Sequence, residues 1–318
     1  MVGFERQSKV TFTEKDYITA GAVSGLITRQ LFQPLDVLKI RFQLQIEPIS
    51  GSSVVSKYKG LNHAYKCILK EEGIQALWKG TVPAQFLSVT YGALQFLAFE
   101  LLTEQAKNVL PVKVLTDAKP AVNFTCGALA GCVATVGSFP FDVVRTRLVG
   151  QGEPKTYGSI YQAVQLMVKN EGLLSFYKGL SPTLLQIAPQ AGAQFAFYRI
   201  FQGMWDSVFS RSSAETTTFQ NGVCGAGSGM AAKVLIYPLD LMKKRYQIQG
   251  FEEARKSFGA VRHYRSLVHC VRSIFLEEGV FGLYKGVWPS IIKAAFTTGG
   301  HFLFYEETLR VLAYFYSQ

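Results

Sequence analysis

Pro34-Leu-Asp36-Val-Leu-Lys39-Ile-Arg41 is a string that this chain writes three times. It returns as Pro140-Phe-Asp142-Val-Val-Arg145-Thr-Arg147 and again as Pro238-Leu-Asp240-Leu-Met-Lys243-Lys-Arg245. A second string follows each copy: Glu72-Gly73-x4-Trp78-Lys79-Gly80, then Glu171-Gly172-x4-Tyr177-Lys178-Gly179, then Glu278-Gly279-x4-Tyr284-Lys285-Gly286. The prolines stand 106 and 98 residues apart. That period is far longer than a solenoid unit. It predicts three tandem copies of one module that close on each other.

The repeat extends outward from the prolines. Gly21 and Gly25, Gly127 and Gly131, and Gly225 and Gly229 stand 13 and 9 residues before them. Each pair is a Gly-x-x-x-Gly in an apolar stretch, the spacing that lets two helix backbones approach closely in a bilayer. On the far side, Glu100, Arg199 and Glu306 each stand 22 residues after the aromatic of the second string.

The periodicity predicts six long helices near 16–45, 82–108, 119–150, 181–209, 218–249 and 288–315, and three short amphipathic ones near 61–72, 160–170 and 266–277. The mid-helix prolines would break exposed helices. In a bundle they are tolerated where neighbours satisfy the freed carbonyls. No stretch of about 20 residues is cleanly apolar, as a lone spanning helix would be. The segment from Tyr17 to Leu44 carries Thr19, Ser24, Thr28, Arg29, Gln30 and Gln33. Such polar groups suit a spanning helix with one face on a water-filled cavity. The composition, 48% hydrophobic and 17% charged, is compatible with that reading.

With both strings complete in all three copies, the chain resembles the mitochondrial carrier family over essentially its whole length. The resemblance implies an all-α membrane protein of six transmembrane helices in three pseudo-threefold repeats, each with a short matrix-side amphipathic helix. The repeats would be residues 1–113, 114–212 and 213–318, divided in the loops holding Pro111-Val-Lys113 and Arg211-Ser-Ser-Ala-Glu215. It also implies a monomer in the mitochondrial inner membrane with internal targeting. Residues Met1 to Lys15 carry neither an Arg-rich nor a signal-peptide pattern, so no cleaved leader is expected.

The net charge of +11 points to anionic lipid rather than to nucleic acid, for which no recognition motif is present. Basic residues gather between the long helices: Lys57, Lys59, Lys66, Lys70, Lys155, Lys169, Arg255, Lys256, Arg262, Arg265 and Arg272. They suit a headgroup surface on one side of the membrane, with cardiolipin as the expected lipid partner. Five cysteines, without a Cys-x-x-Cys, indicate neither a disulfide framework nor a metal site. No phosphate-binding loop or His-Glu-x-x-His string occurs, so an enzyme, a metal and a bound cofactor are not expected.

Asp36 and Lys39 are three residues apart and share a helical face. The family resemblance pairs Asp36 with Arg145, Asp142 with Lys243 and Asp240 with Lys39 as a matrix-side gate. It adds Gln43 and Gln247 as braces, with Val149 where a third brace would stand. The family's opposite gate is altered here, since no basic residue ends the strings at Phe99-Glu100, Tyr198-Arg199 and Tyr305-Glu306. A single cytosolic cluster of Glu100, Arg199 and Glu306 is expected instead.

Between the gates, Arg29, Thr135 and Lys233 stand two turns before the gating aspartates and share their inward face. The family's substrate-contact positions fall on Leu87, Gln186 and Lys293, with Ser88, Ile187 and Ala294 beside them. Gln95, Gln194 and His301 are equivalent to one another and offer further donors or interhelical bonds. Arg29, Lys233 and Lys293 read as an unpaired cationic set, costly at mid-membrane depth and therefore functional. Three cations suit a phosphorylated solute, with Phe86 and Tyr91 to face a ring.

Three stretches, from Gly21 to Arg29, Gln151 to Lys155 and Gly250 to Gly259, are similar to the branch of the family that carries thiamine pyrophosphate. That implies import of thiamine pyrophosphate as transported substrate, by exchange. Another phosphorylated cofactor or a nucleotide remains an alternative, and a proton or anion leak pathway is an alternative of a different class.

Overall fold

The structure is a computed structural model that describes residues 13–49, 56–111, 115, 117–208, 214–251, 255 and 262–316. The parts of the two inter-repeat loops at 112–113 and 211–213, most of Gly250 to Gly259, Lys256, and residues before Thr13 lie outside the described residues.

Each repeat is a long helix, a short helix, one 3-10 turn and a second long helix. The first repeat holds α1 (Glu14–Leu44), α2 (Leu61–Glu72) and α3 (Thr81–Val109). The second holds α4 (Lys119–Gly150), α5 (Ile160–Glu171) and α6 (Leu180–Val208). The third holds α7 (Ala214–Gln247), α8 (Leu267–Glu278) and α9 (Val287–Tyr316). Among the described residues, Ile74–Val109 and α4 are long and apolar enough to cross a membrane by length and composition alone.

The short helices start and stop for local reasons. Ser159 and Ser266 accept the backbone N–H of Gln162 and His269, three residues on, as N-caps do. Gly73, Gly172 and Gly279 end the three helices at φ of +79°, +79° and +71°. Each short helix buries one i, i+4 pair: Ala64 with Ile68, Ala163 with Met167, and Cys270 with Ile274. Those pairs pack against the C-terminal halves of α1, α4 and α7 in three separate small cores.

α1, α4 and α7 run unbroken through Pro34, Pro140 and Pro238. Pro34 has no N–H for the carbonyl of Gln30, four residues back. The Trp78 indole takes that carbonyl at 2.9 Å. In the other repeats the equivalent aromatic stacks on the residue before the proline: Tyr177 on Phe139 at 6.5 Å and Tyr284 on Tyr237 at 6.3 Å.

The ring closes through the long helices. α3 packs along α4, α6 along α7, and α9 along α1, so the last helix of each repeat meets the first helix of the next. The Gly-x-x-x-Gly pairs do not make these contacts tight. A Cβ on Gly21 or Gly225 would meet nothing within 4 Å, and Gly25 and Gly229 face the His301 and Gln194 side chains. Gly127 and Gly131 line a cavity and face the Phe99, Ile187 and Tyr91 side chains rather than a helix backbone.

The glycines that close the second string are the sterically required ones. Gly179 has φ +89°, and a Cβ there would stand 2.8 Å from the Lys243 carbonyl oxygen. Gly286 has φ +83°, and its Cβ would stand 3.0 Å from the Lys39 carbonyl oxygen and 2.9 Å from the Tyr237 hydroxyl. Backbone oxygens held in helices cannot retreat. Gly179→Ala or Gly286→Ala is therefore expected to lower the thermal unfolding midpoint in detergent, by strain of about 1–3 kcal/mol plus the clash. Gly192→Ala, in open space within α6, should leave it unchanged.

Candidate functional site

Past the prolines, α1, α4 and α7 converge and their side chains form a closed ring of ion pairs. Asp36 meets Arg145 at 2.6 Å, Asp142 meets Lys243 at 2.9 Å and Asp240 meets Lys39 at 2.6 Å. Each acid takes its base from the next repeat, and the third returns to the first. Gln43 donates to Asp240 at 3.2 Å and Gln247 to Asp142 at 2.8 Å. Val149 stands at the equivalent place beside the Asp36–Arg145 pair and has nothing to donate. Lys293 fills that role, with its ammonium 2.6 and 2.7 Å from the two Asp36 oxygens.

Asp142 has a further cation. Lys244, 6% exposed, reaches Asp142 at 2.9 Å, the Thr146 hydroxyl at 2.9 Å and the Gln247 carboxamide oxygen at 3.0 Å. The ring is thus unequal: Asp36 and Asp142 each meet two cations, Asp240 one. Lys39 also lies 5.8 Å over the Tyr237 ring and Lys243 5.6 Å over the Phe139 ring.

A second ring lies below the first. Arg41 is two residues past Lys39, about 200° around the helix, so it leaves the shared face and turns outward. It binds Glu72 in bidentate fashion at 2.5 and 2.7 Å, with both side chains 1% exposed. Arg147 with Glu171 and Arg245 with Glu278 repeat the arrangement. Lys79, Lys178 and Lys285 join the same carboxylates. Each arginine also donates through Nε to the neighbouring repeat: Arg41 to the Val149 carbonyl at 3.2 Å, Arg147 to Gln247 at 3.1 Å and Arg245 to Gln43 at 3.2 Å. Sequence reasoning missed these residues as a unit. The signal was present: the last base of the first string and the acid of the second recur together three times.

Burial pushes the Glu72 carboxyl up, but the bonds from Arg41 and Lys79 outweigh it and hold the group below its usual value near 4.5. The same balance holds Glu171 below its usual value.

Above the ion-pair ring a cavity of about 1270 Å³ runs between α3, α4 and α6. Asp142 and Lys243 lie at its floor, and Pro120, Asn123 and Arg199 at the far end. Leu87, Ser88, Gln95, Thr135, Gln186, Ile187 and Gln194 line it. Thr135 donates its hydroxyl to the Gly131 carbonyl of its own helix.

The cations expected to stand unpaired are arranged otherwise. Lys293 is salt-bridged to Asp36, because its long side chain spans from α9 to the aspartate. The Arg29 guanidinium donates to the Ala84 carbonyl. Only Lys233 of the three has no hydrogen bond or ion pair among the described residues. His301 makes a contact of 3.4 Å with the Ser24 hydroxyl between α9 and α1. Glu100, Arg199 and Glu306 are exposed, and among the described residues no ion pair joins them, since the cavity is open at that end. Arg255 is not a surface charge: it is 1% exposed and donates to the Leu44 carbonyl at the end of α1, where a cation suits the helix dipole.

Repeated acid–base strings, a threefold ring of ion pairs and a cavity above it together define a solute carrier of three tandem modules. The Mitochondrial carrier protein family profile matches residues 13–109, 116–208 and 214–315, and this chain belongs to that family. It is a transport protein, not an enzyme. The chain is 47% identical to the mitochondrial thiamine pyrophosphate carrier of Bos taurus over 96% of each chain. It is 46% identical to the same carrier of Homo sapiens, over 96% of this chain and 95% of that one. It is also 40% identical to mitochondrial thiamine diphosphate carrier 1 of Arabidopsis thaliana over 91% of each.

Two outcomes test the rings. Glu72→Gln leaves buried Arg41 without its counter-charge and should cost about 3–5 kcal/mol in detergent unfolding at pH 7. A depressed carboxyl contributes stability above its unfolded value near 4.5, which is lost as pH falls through the folded value. The unaltered chain should therefore lose stability steeply below that pH, and Glu72→Gln less steeply. In the upper ring, Asp36→Lys should abolish solute exchange in liposomes. Adding Arg145→Asp should restore part of it.

Proposed function

We propose that this protein imports thiamine pyrophosphate across the mitochondrial inner membrane by alternating access, working as a monomer that exchanges one solute for another. The observation that carries the reading is a closed ring of inter-repeat ion pairs beneath an open cavity. The identity to thiamine pyrophosphate carriers over nearly the whole chain supports the choice of solute.

In this reading α1, α3, α4, α6, α7 and α9 are the six membrane spans, and residues 1–113, 114–212 and 213–318 are the three repeats. The short helices α2, α5 and α8 lie at the matrix surface among anionic headgroups, cardiolipin included. Asp36, Lys39, Asp142, Arg145, Asp240, Lys243, Gln43 and Gln247 form the matrix gate. Glu100, Arg199 and Glu306 close the cytosolic side when that gate opens.

Substrate enters the open cavity and its diphosphate meets Arg29, Lys233 and Lys293. Lys293 already serves Asp36, so a phosphate that takes this ammonium leaves the Asp36–Arg145 pair without its brace. Separating a buried pair costs about 3–5 kcal/mol. An empty carrier has nothing to offset that cost, and a loaded one does. The same inequality accounts for exchange in preference to one-way passage. Thr135, Leu87, Gln186, Ile187, Gln95, Gln194 and His301 complete the binding surface.

Purified protein in liposomes loaded with thiamine pyrophosphate should take up labelled thiamine pyrophosphate, with saturation, and should do so poorly into empty liposomes. Deoxynucleotide or coenzyme A exchange in its place would reassign the solute. Proton current without solute flux would make the chain a leak pathway.

A further inference from the structure

We infer that the wall built by α3, α4 and α6 reads the heterocyclic end of the substrate, with Asn123, Gln190 and Gln194 as specificity-determining residues. The substrate then lies with its phosphates toward the ion-pair ring and its rings along that wall. This inference rests on the reading of the chain as a thiamine pyrophosphate carrier and adds an orientation and a recognition surface to it.

The first observation is a row of carboxamides. Gln186, Gln190 and Gln194 are spaced i, i+4 and i+8 on α6 and line the cavity together. They form one stripe with rungs about 6 Å apart. Gln95 on α3 and Asn123 on α4 face the same space. Among the described residues none of the five makes a hydrogen bond within the protein, and the Gln186 side-chain oxygen is shielded from solvent with no partner. A buried polar atom without a partner is costly, which makes it a place for a ligand atom.

Charge is the second observation. Between Asp142 and Lys243 at the floor and Arg199 at the far end, the lining residues are neutral. Arg29, Lys233 and Lys293 stand on α1, α7 and α9, the other three helices of the ring. The molecule thus keeps anion-binding groups on one side and uncharged donors and acceptors on the other. A carboxamide both donates and accepts, so a row of them matches a ring that presents an amino group beside ring nitrogens. Lysines on this wall would repel a cationic thiazolium. Tyr91, Phe124 and Phe195 line the wall instead and offer aromatic faces to such a cation.

The test uses the full chain in liposomes and compares two ligands, thiamine pyrophosphate and inorganic pyrophosphate as a competitor without rings. Gln190→Leu and Asn123→Leu should each raise the thiamine pyrophosphate concentration for half-maximal uptake by roughly tenfold, the cost of an unmet hydrogen bond. The pyrophosphate concentration for half-inhibition should stay within about twofold, since each variant changes no charge. Lys293→Gln should weaken both ligands together. Pyrophosphate inhibition also reports that each variant is folded. Equal losses for both ligands in the leucine variants, or no loss for either, would overturn the wall as a reading surface. So would pyrophosphate that fails to compete with the unaltered chain. An unaltered chain that takes up no thiamine pyrophosphate would instead remove the transport reading on which the orientation rests.

Discussion

Three carboxylates buried where three helices converge must each be matched by a cation, and no repeat provides its own. Asp36, Asp142 and Asp240 take Arg145, Lys243 and Lys39 from the next repeat in turn. This cyclic dependence holds the three modules in one ring. The close of each second string at Gly80, Gly179 and Gly286 lies directly against the neighbour's base-bearing turn. The lower ring of Arg41, Arg147 and Arg245 has a different task. Its arginines bind carboxylates of their own repeat and donate to carbonyls of the neighbour. One layer therefore fixes each module's shape, and the other joins the modules by contacts that can be exchanged.

The threefold plan is broken where specificity and direction are needed. Val149 leaves one pair without a glutamine, and Lys293 of α9 completes it. In the proposed transport cycle this is the pair whose support a polyanion removes. Lys244 adds a cation to Asp142, while Asp240 keeps a single one.

Much of the fold was legible in the sequence because the same physical problem is written three times. Helix ends fall within a few residues of the expected ones, since capping serines, positive-φ glycines and apolar spacing mark them locally. The acid–base partners came from family resemblance, because spacing along one helix says nothing of which neighbour it meets. The side-chain reach of Lys293 was not legible: its register in the repeat points to the space between the gates, but its ammonium extends to Asp36. Arg255 sits in a polar loop by sequence and under the end of α1 in the fold, a contact made across more than two hundred residues. The glycine pairs read as packing seams, but at Gly21 and Gly225 an added Cβ would meet nothing within 4 Å. Trp78 and Gln30 show the reverse: the cost of the Pro34 interruption was foreseeable, and the indole that meets it stands in the signature itself.

Closure at one end by the ion-pair ring is the claim on which transport depends, and accessibility measures it directly. A single cysteine at Ala191 on the cavity wall, in a chain whose native cysteines are replaced, can be exposed to a charged thiol reagent from either face of a sealed liposome. The account expects modification from the cavity's open face alone, and from both faces once Asp36→Asn and Asp142→Asn release two of the three joints. Equal modification from both faces of the unaltered ring, or no new access after its release, would contradict it.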